Sequence, residues 1–201
     1  CFNTVPGTIT GTPLTGGAGG NPTWVWQDST GGTSWAGIGS STQSFAPSTP
    51  ITERMWFRRI IRSGPADCCI DTSAVISIDT LTLPTAEIIS TTDTTICAGQ
   101  EVRLRVNLTG AKNWKTLVYN ENATPVTVSN ISSASHTISR IPSPGSSMTT
   151  YNYTIASLID NNDCVAAPAG LTGSRRADVY RVPVANAGPD QTLCSNATTF
   201  N

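Results

Sequence analysis

Apolar and polar positions alternate with a period of two at intervals along the chain, which predicts short, half-buried strands. The clearest case is Val102-Arg103-Leu104-Arg105-Val106-Asn107-Leu108, with Val102, Leu104, Val106 and Leu108 facing one way. Residues 114–119 read as the next strand, residues 151–156 alternate again, and residues 177–182 close that stretch. Nearer the start, residues 24–27 lead into a turn through Asp28-Ser29-Thr30-Gly31-Gly32 and a return at Ser34-Trp35. Strands at residues 54–61 and 74–78 follow. No stretch keeps the apolar period of about 3.6 that an amphipathic helix needs. The expected fold is all-β, with seven or so strands per unit.

A longer period lies over the short one. Cys1 and Cys68 stand 67 positions apart, as do Cys97 and Cys164, while Cys97 follows Cys1 by 96 and Cys194 follows Cys97 by 97. Asp93-Thr94-Thr95-Ile96-Cys97 matches Asp190-Gln191-Thr192-Leu193-Cys194, and Leu83-Pro84 and Val182-Pro183 precede them at similar distances. A unit of this length is too long for a solenoid repeat and fits an independent antiparallel β-sandwich. The expected domains are 1–83, a sandwich lacking its first strand, 84–182, a complete one, and 183–201, the start of a third. Short Pro-containing joints limit swivelling more than Gly/Ser linkers would, so a rod is expected.

The matched spacings predict disulfides Cys1–Cys68 and Cys97–Cys164. Closing loops of this size removes roughly 4 kcal/mol of unfolded-state entropy in the chain model. The Cys68-Cys69 doublet leaves open which of the two faces Cys1, and the partner of Cys194 is expected beyond the chain.

Composition narrows the functional classes. Thr and Ser make up about a quarter of the residues, with 17 Gly and 13 Pro, a mixture that suits short strands and turns. Six cysteines without a C-x-x-C pair, and a single histidine, point to disulfides in an oxidising compartment rather than to zinc. A net charge of −1 with 12% charged residues gives no field for nucleic acid or anionic lipid. No apolar run reaches the ~18 residues of a membrane span. His136 sits in a strand-like alternation without a nucleophile motif, so no enzyme, cofactor or metal is expected.

Three further groups have a chemical reading and a plainer one. Asp160-Asn161-Asn162-Asp163 offers oxygens of the kind calcium takes, but the same residues build turns, and it is read as a turn. Arg58 and Arg59 face opposite sides of a strand, which breaks up a basic patch. Trp24, Trp26 and Trp56 are expected in the core, and Trp35 is the candidate for contact with a glycan.

The stretches 13–20, 24–29, 35–38 and 55–64 resemble an Ig-like repeat of large Bacteroidota cell-surface proteins. Residues 84–182 resemble the PKD-like companion repeat through Thr95-Ile96-Cys97-Ala98-Gly99 and the loop from Asp160 to Cys164. Residues 185–194 are similar to the opening of a further repeat. The resemblance implies tandem sandwiches of a secreted, surface-anchored protein, such as the SprB-type gliding-motility adhesins exported by the type IX system. The implied partners are neighbouring repeats and, beyond them, surface polysaccharide or other cell-surface proteins. The Asp-Ser/Thr pattern at Ser29, Thr80 and Thr94 resembles the O-glycosylation signal of the same bacteria. The rival expectation is a set of non-catalytic or glycan-binding repeats of a secreted polysaccharide-degrading enzyme.

Overall fold

The computed structural model describes residues 1–17, 22–90, 92–145, 147–190 and 192. Five strands come from the N-terminal part: β1 (Thr23–Ser29), β2 (Ala36–Gly37), β3 (Met55–Ser63), β4 (Cys69–Thr72) and β5 (Ile76–Ile78). The rest of the chain supplies β6 (Ala86–Ile88), β7 (Thr94–Cys97), β8 (Val102–Leu108), β9 (Trp114–Glu121) and β10 (Thr124–Ile131). It continues with β11 (Ser135–Arg140), β12 (Met148–Ile159), β13 (Leu171–Thr172) and β14 (Ser174–Tyr180). Two single 3-10 turns, Pro65–Asp67 and Pro168–Gly170, are the only helical backbone among the described residues. The chain is all-β.

The C-terminal unit is a two-sheet sandwich. One sheet runs β10-β9-β12-β14-β7 and the other β11-β8-β6-β13. Pairing is antiparallel except where β7 lies parallel to β14 and β13 parallel to β6. The first strands thus divide between the sheets, β6 joining β8 and β7 joining β14, an immunoglobulin-like arrangement. Sequence alternation dictates which side faces in: β8 buries Val102, Leu104, Val106 and Leu108 and exposes the residues between them. They meet Ile88, Trp114, Leu117, Tyr119, Tyr153 and Leu158 in one dry core. The Trp114 indole N–H donates to the Thr109 carbonyl at 2.8 Å, which satisfies the one polar atom that ring buries.

The N-terminal unit departs from the expected sandwich. It has one regular sheet, β2-β1-β3-β4, with β5 also on β3. Opposite it, residues 1–17 and 41–51 form no continuous ladder among the described residues; their strand pairing is confined to the isolated bridges Thr4↔Ile51 and Ile9↔Phe45. Pro6, Pro13, Pro47 and Pro50 explain this, because each removes a ladder donor from these segments. Trp26, Phe45 and Phe57 stack beneath them with centroids 5.8 and 5.9 Å apart. Trp26 pairs across the sheet with Arg59, and Gln27 with Arg58, so the two arginines face opposite sides as expected.

Arg59 is buried, with no carboxylate paired to it among the described residues. Its Nη1 donates to the Gln43 carbonyl at 2.7 Å and its Nη2 to the Thr12 carbonyl at 3.1 Å. One cation therefore ties both irregular segments to the sheet. Gly11 lies so close that a Cβ there would sit 1.9 Å from the Gln43 carbonyl oxygen and 2.1 Å from Arg59 Nη1.

Candidate functional site at the junction of the two units

The cysteines correct the sequence reading. Cys1 bonds Cys164, 163 positions away, with Cα atoms 5.5 Å apart. Neither Cys1–Cys68 nor Cys97–Cys164 forms, and Cys68, Cys69 and Cys97 are free thiols, all exposed. Cys194 lies outside the described residues.

Strand geometry explains why. Cys97 ends β7 opposite Tyr180, and Tyr180 is paired with Met148 at the start of β12. Cys164 follows the other end of β12, beyond Ile159. At about 3.3 Å per residue, β12 puts roughly 35 Å between the two positions, against the ~7 Å of Cα separation that a disulfide allows. The N-terminal unit repeats the problem. The Phe2 N–H donates to the Leu81 carbonyl at 2.8 Å, which places Cys1 beyond β5 at the Met55 end of β3. Cys68 follows Ser63 at the opposite end. A bond between units meets no such obstacle, because the end of the first unit that carries Cys1 adjoins the end of the second that carries Cys164.

The turn that presents Cys164 is built on one carboxylate. Asp160 is 1% exposed. Its Oδ1 accepts from the backbone N–H groups of Asn162 and Cys164 at 2.9 and 3.0 Å, and its Oδ2 from Ala111 N–H at 3.0 Å. Asp163 instead pairs with Lys115 Nζ at 2.5 Å. The Asp-Asn-Asn-Asp run is thus a turn whose buried carboxylate caps its own amides. Gly110, at φ 105°, lets the neighbouring loop pass: a Cβ would meet the Pro84 ring at 2.7 Å and Asp160 Oδ2 at 3.0 Å. Phe2, Thr80, Leu81, Thr82 and Leu83 line a mostly apolar hollow of about 270 Å³ near the linker.

The remaining sequence candidates fall elsewhere. Ser29 is 5% exposed, and its Oγ accepts from the Gly31 and Gly32 N–H groups at 3.2 and 2.8 Å. That hydroxyl caps the turn that follows β1. Thr80 is half-buried in the linker hollow, and Thr94 is half-buried in β7 opposite Ala177. Trp35 is half-buried, with the Arg58 guanidinium 4.2 Å from its ring centroid. Arg58 also donates to Gln27 Oε1 at 2.7 Å, so one face of the ring is taken by a tethered cation. Trp26 is buried, whereas Trp24 is half-buried. Trp56 is half-buried on the face away from Trp26, across from Ser29, which corrects its assignment to the core. His136 is half-buried in β11 opposite Val106.

Residues 1–82 match a family model described as a domain of unknown function, DUF8696. No curated protein matches the chain significantly. Among solved structures, the fibronectin(III)-like modules of Clostridium thermocellum CbhA share 10% identity at a TM-score of 0.42, over 94% of this chain and 99% of theirs. A structure concerned with the host cell surface retention of a 1.5-MDa bacterial ice-binding adhesin shares 10% identity at a TM-score of 0.36. That likeness covers 87% of this chain and 58% of the other. Neither score is high enough to carry a role across.

Proposed function

We propose that this chain is a structural stalk segment of a large secreted, cell-surface adhesin or filament of the attachment or gliding type. Its units divide near Pro84, and residues 183–201 open a third. The observation that carries the reading is the bond between Cys1 and Cys164. A disulfide inside one unit stabilises that unit alone. This one fixes the far end of the first unit to the near end of the second. It removes the swivel that a short linker would otherwise retain, which is the property a stalk requires. Its persistence also fits an extracellular location. The Asp160 turn and the buried Pro84 serve the same purpose by giving the cysteine a fixed position.

Small-angle scattering tests the reading. The oxidised chain should give one narrow distance distribution with a fixed maximum dimension. The Cys1→Ser variant should give a broader distribution, from units that change their mutual angle. Identical profiles for the two proteins would remove the basis for a stiffened stalk.

A further inference from the structure

Two hollows of about 330 and 320 Å³ in the first unit share Thr12, Arg59, Ser73 and Ala74, and so form one groove with Arg59 at its middle. Its floor is one face of β3, with Phe57, Arg59 and Ile61 in line. One wall is residues 9–15, and the other is residues 71–76 at the outer edge of the sheet. Ser73 is fixed beside Arg59 by two hydrogen bonds of 2.9 Å to its backbone, and the small side chains of Ser73 and Ala74 leave the groove open. Two observations point to an occupant. The first is charge. Arg59 is 6% exposed, two of its five N–H groups donate to carbonyls, and its Nε is buried without a partner. A carbonyl carries no full charge, so this cation lacks the anion that ordinarily offsets its desolvation. The second is the edge. Among the described residues β4 and β5 pair only with β3, and every residue from Cys69 to Ser77 is exposed, Ile70, Val75 and Ile76 included. Proline, lysine or brevity ordinarily guards such an edge. Here β10 carries Pro125 and β2 has two residues, but residues 69–78 contain neither Pro nor Lys.

We infer that this groove docks an extended acidic peptide segment of a partner protein, which adds a strand to the β4–β5 edge and lays one Asp or Glu carboxylate against Arg59. Main-chain pairing along the edge supplies affinity, and the side chains that turn inward at every second position supply specificity. The carboxylate enters beside Ser73 and Thr12 and meets the N–H groups that the two carbonyls leave unused. A charge-assisted hydrogen bond of this kind is about twice as strong as a neutral one. Two positions from the acid, toward one end, the next inward side chain meets Ile9, Phe57 and Ile76 and is apolar. Toward the other end the groove offers Thr15 and Asp71, which disfavours a second acid there. The expected signature is therefore one acid with an apolar residue two positions away. The groove lies wholly within the first unit, so the inference does not depend on the Cys1–Cys164 bond.

The test selects random peptides displayed on phage against the full oxidised chain and, in parallel, against its Ala74→Trp variant. Ala74 is exposed, so the indole fills the groove from its wall and leaves Arg59 in place, and circular dichroism checks that the fold is kept. Peptides that bind the parent chain and not the variant are expected, carrying the acid and the apolar residue at the stated spacing. A synthetic peptide from that set should bind the parent in titration calorimetry. Changing its acid to the amide should weaken binding about tenfold or more, the loss expected for a charged hydrogen bond. Methylating its edge-facing backbone nitrogens should abolish binding. Arg59→Gln should remove the distinction between acid and amide, and the Ala74→Trp comparison stands whether or not that variant folds. The inference is overturned if no peptide separates parent from Ala74→Trp, or if the selected peptides lack the acid. Equal binding of acid and amide, or of methylated and unmethylated peptide, would contradict it as well.

Discussion

At the scale of single residues, the structure turns on a few polar groups that replace missing strands or fix turns. Asp160 accepts three backbone N–H groups inside the junction, so Asp160→Ala should leave buried donors unmatched and cost at least about 2 kcal/mol. Urea unfolding of the oxidised protein measures this, and a loss within error of zero would mean that water replaces the carboxylate. Gly11→Ala places a methyl against the Gln43 carbonyl and the Arg59 guanidinium, and it should loosen the covering segments from Trp26. A red shift of tryptophan emission at unchanged β content would report that loosening. Ser29 also belongs at this scale. With its hydroxyl capping the turn, glycan mapping of the protein from its native source should find it unmodified.

The elements were legible to the extent that each strand had one wet and one dry face. Residues 102–108 alternate cleanly, and β8 has the same bounds. The segment that became β10 is different. Its pattern, from Thr124 to Ile131, interleaves Pro, Thr and Ser with half-buried Val126 and Val128, and it pairs only with β9 at a sheet edge. An edge strand buries too little to imprint a pattern. The irregular half of the N-terminal unit was illegible for a related reason: its order comes from Arg59, whose contacts span up to 47 residues. Pairing of β12 with β14 gives a pH prediction. The Thr150 hydroxyl donates to Asp178 at 2.6 Å, and with Arg176 it holds that carboxyl below the usual range. A carboxyl lowered in the folded state stabilises fully above its unfolded value of about 3.9 and loses that contribution as pH falls through the folded value. Thr150→Val should move the Asp178 midpoint upward in an NMR titration, and an unchanged midpoint would assign the effect to Arg176 alone.

Across the whole molecule, the cysteines show what a periodic sequence conceals. In a repeating chain, bonding the far-end cysteine to the loop cysteine of its own unit or to that of the next leaves the same regular spacing. Equal intervals of 67 therefore could not discriminate, and only the length of β12 and β3 excludes the pairing within a unit. The cysteine spacing was visible, and with it both positions that bond, Cys1 and Cys164. The register of bonding was not. Single-molecule stretching between the two termini tests the central claim most directly. With the Cys1–Cys164 bond intact, 163 residues of sequence separation are hidden from the force, and reductant should release about 55 nm of contour length at about 3.4 Å per residue. Steps of about 23 nm, the length of 67 residues, would instead show bonds confined within each unit. No gain on reduction would show that the two units are not cross-linked at all.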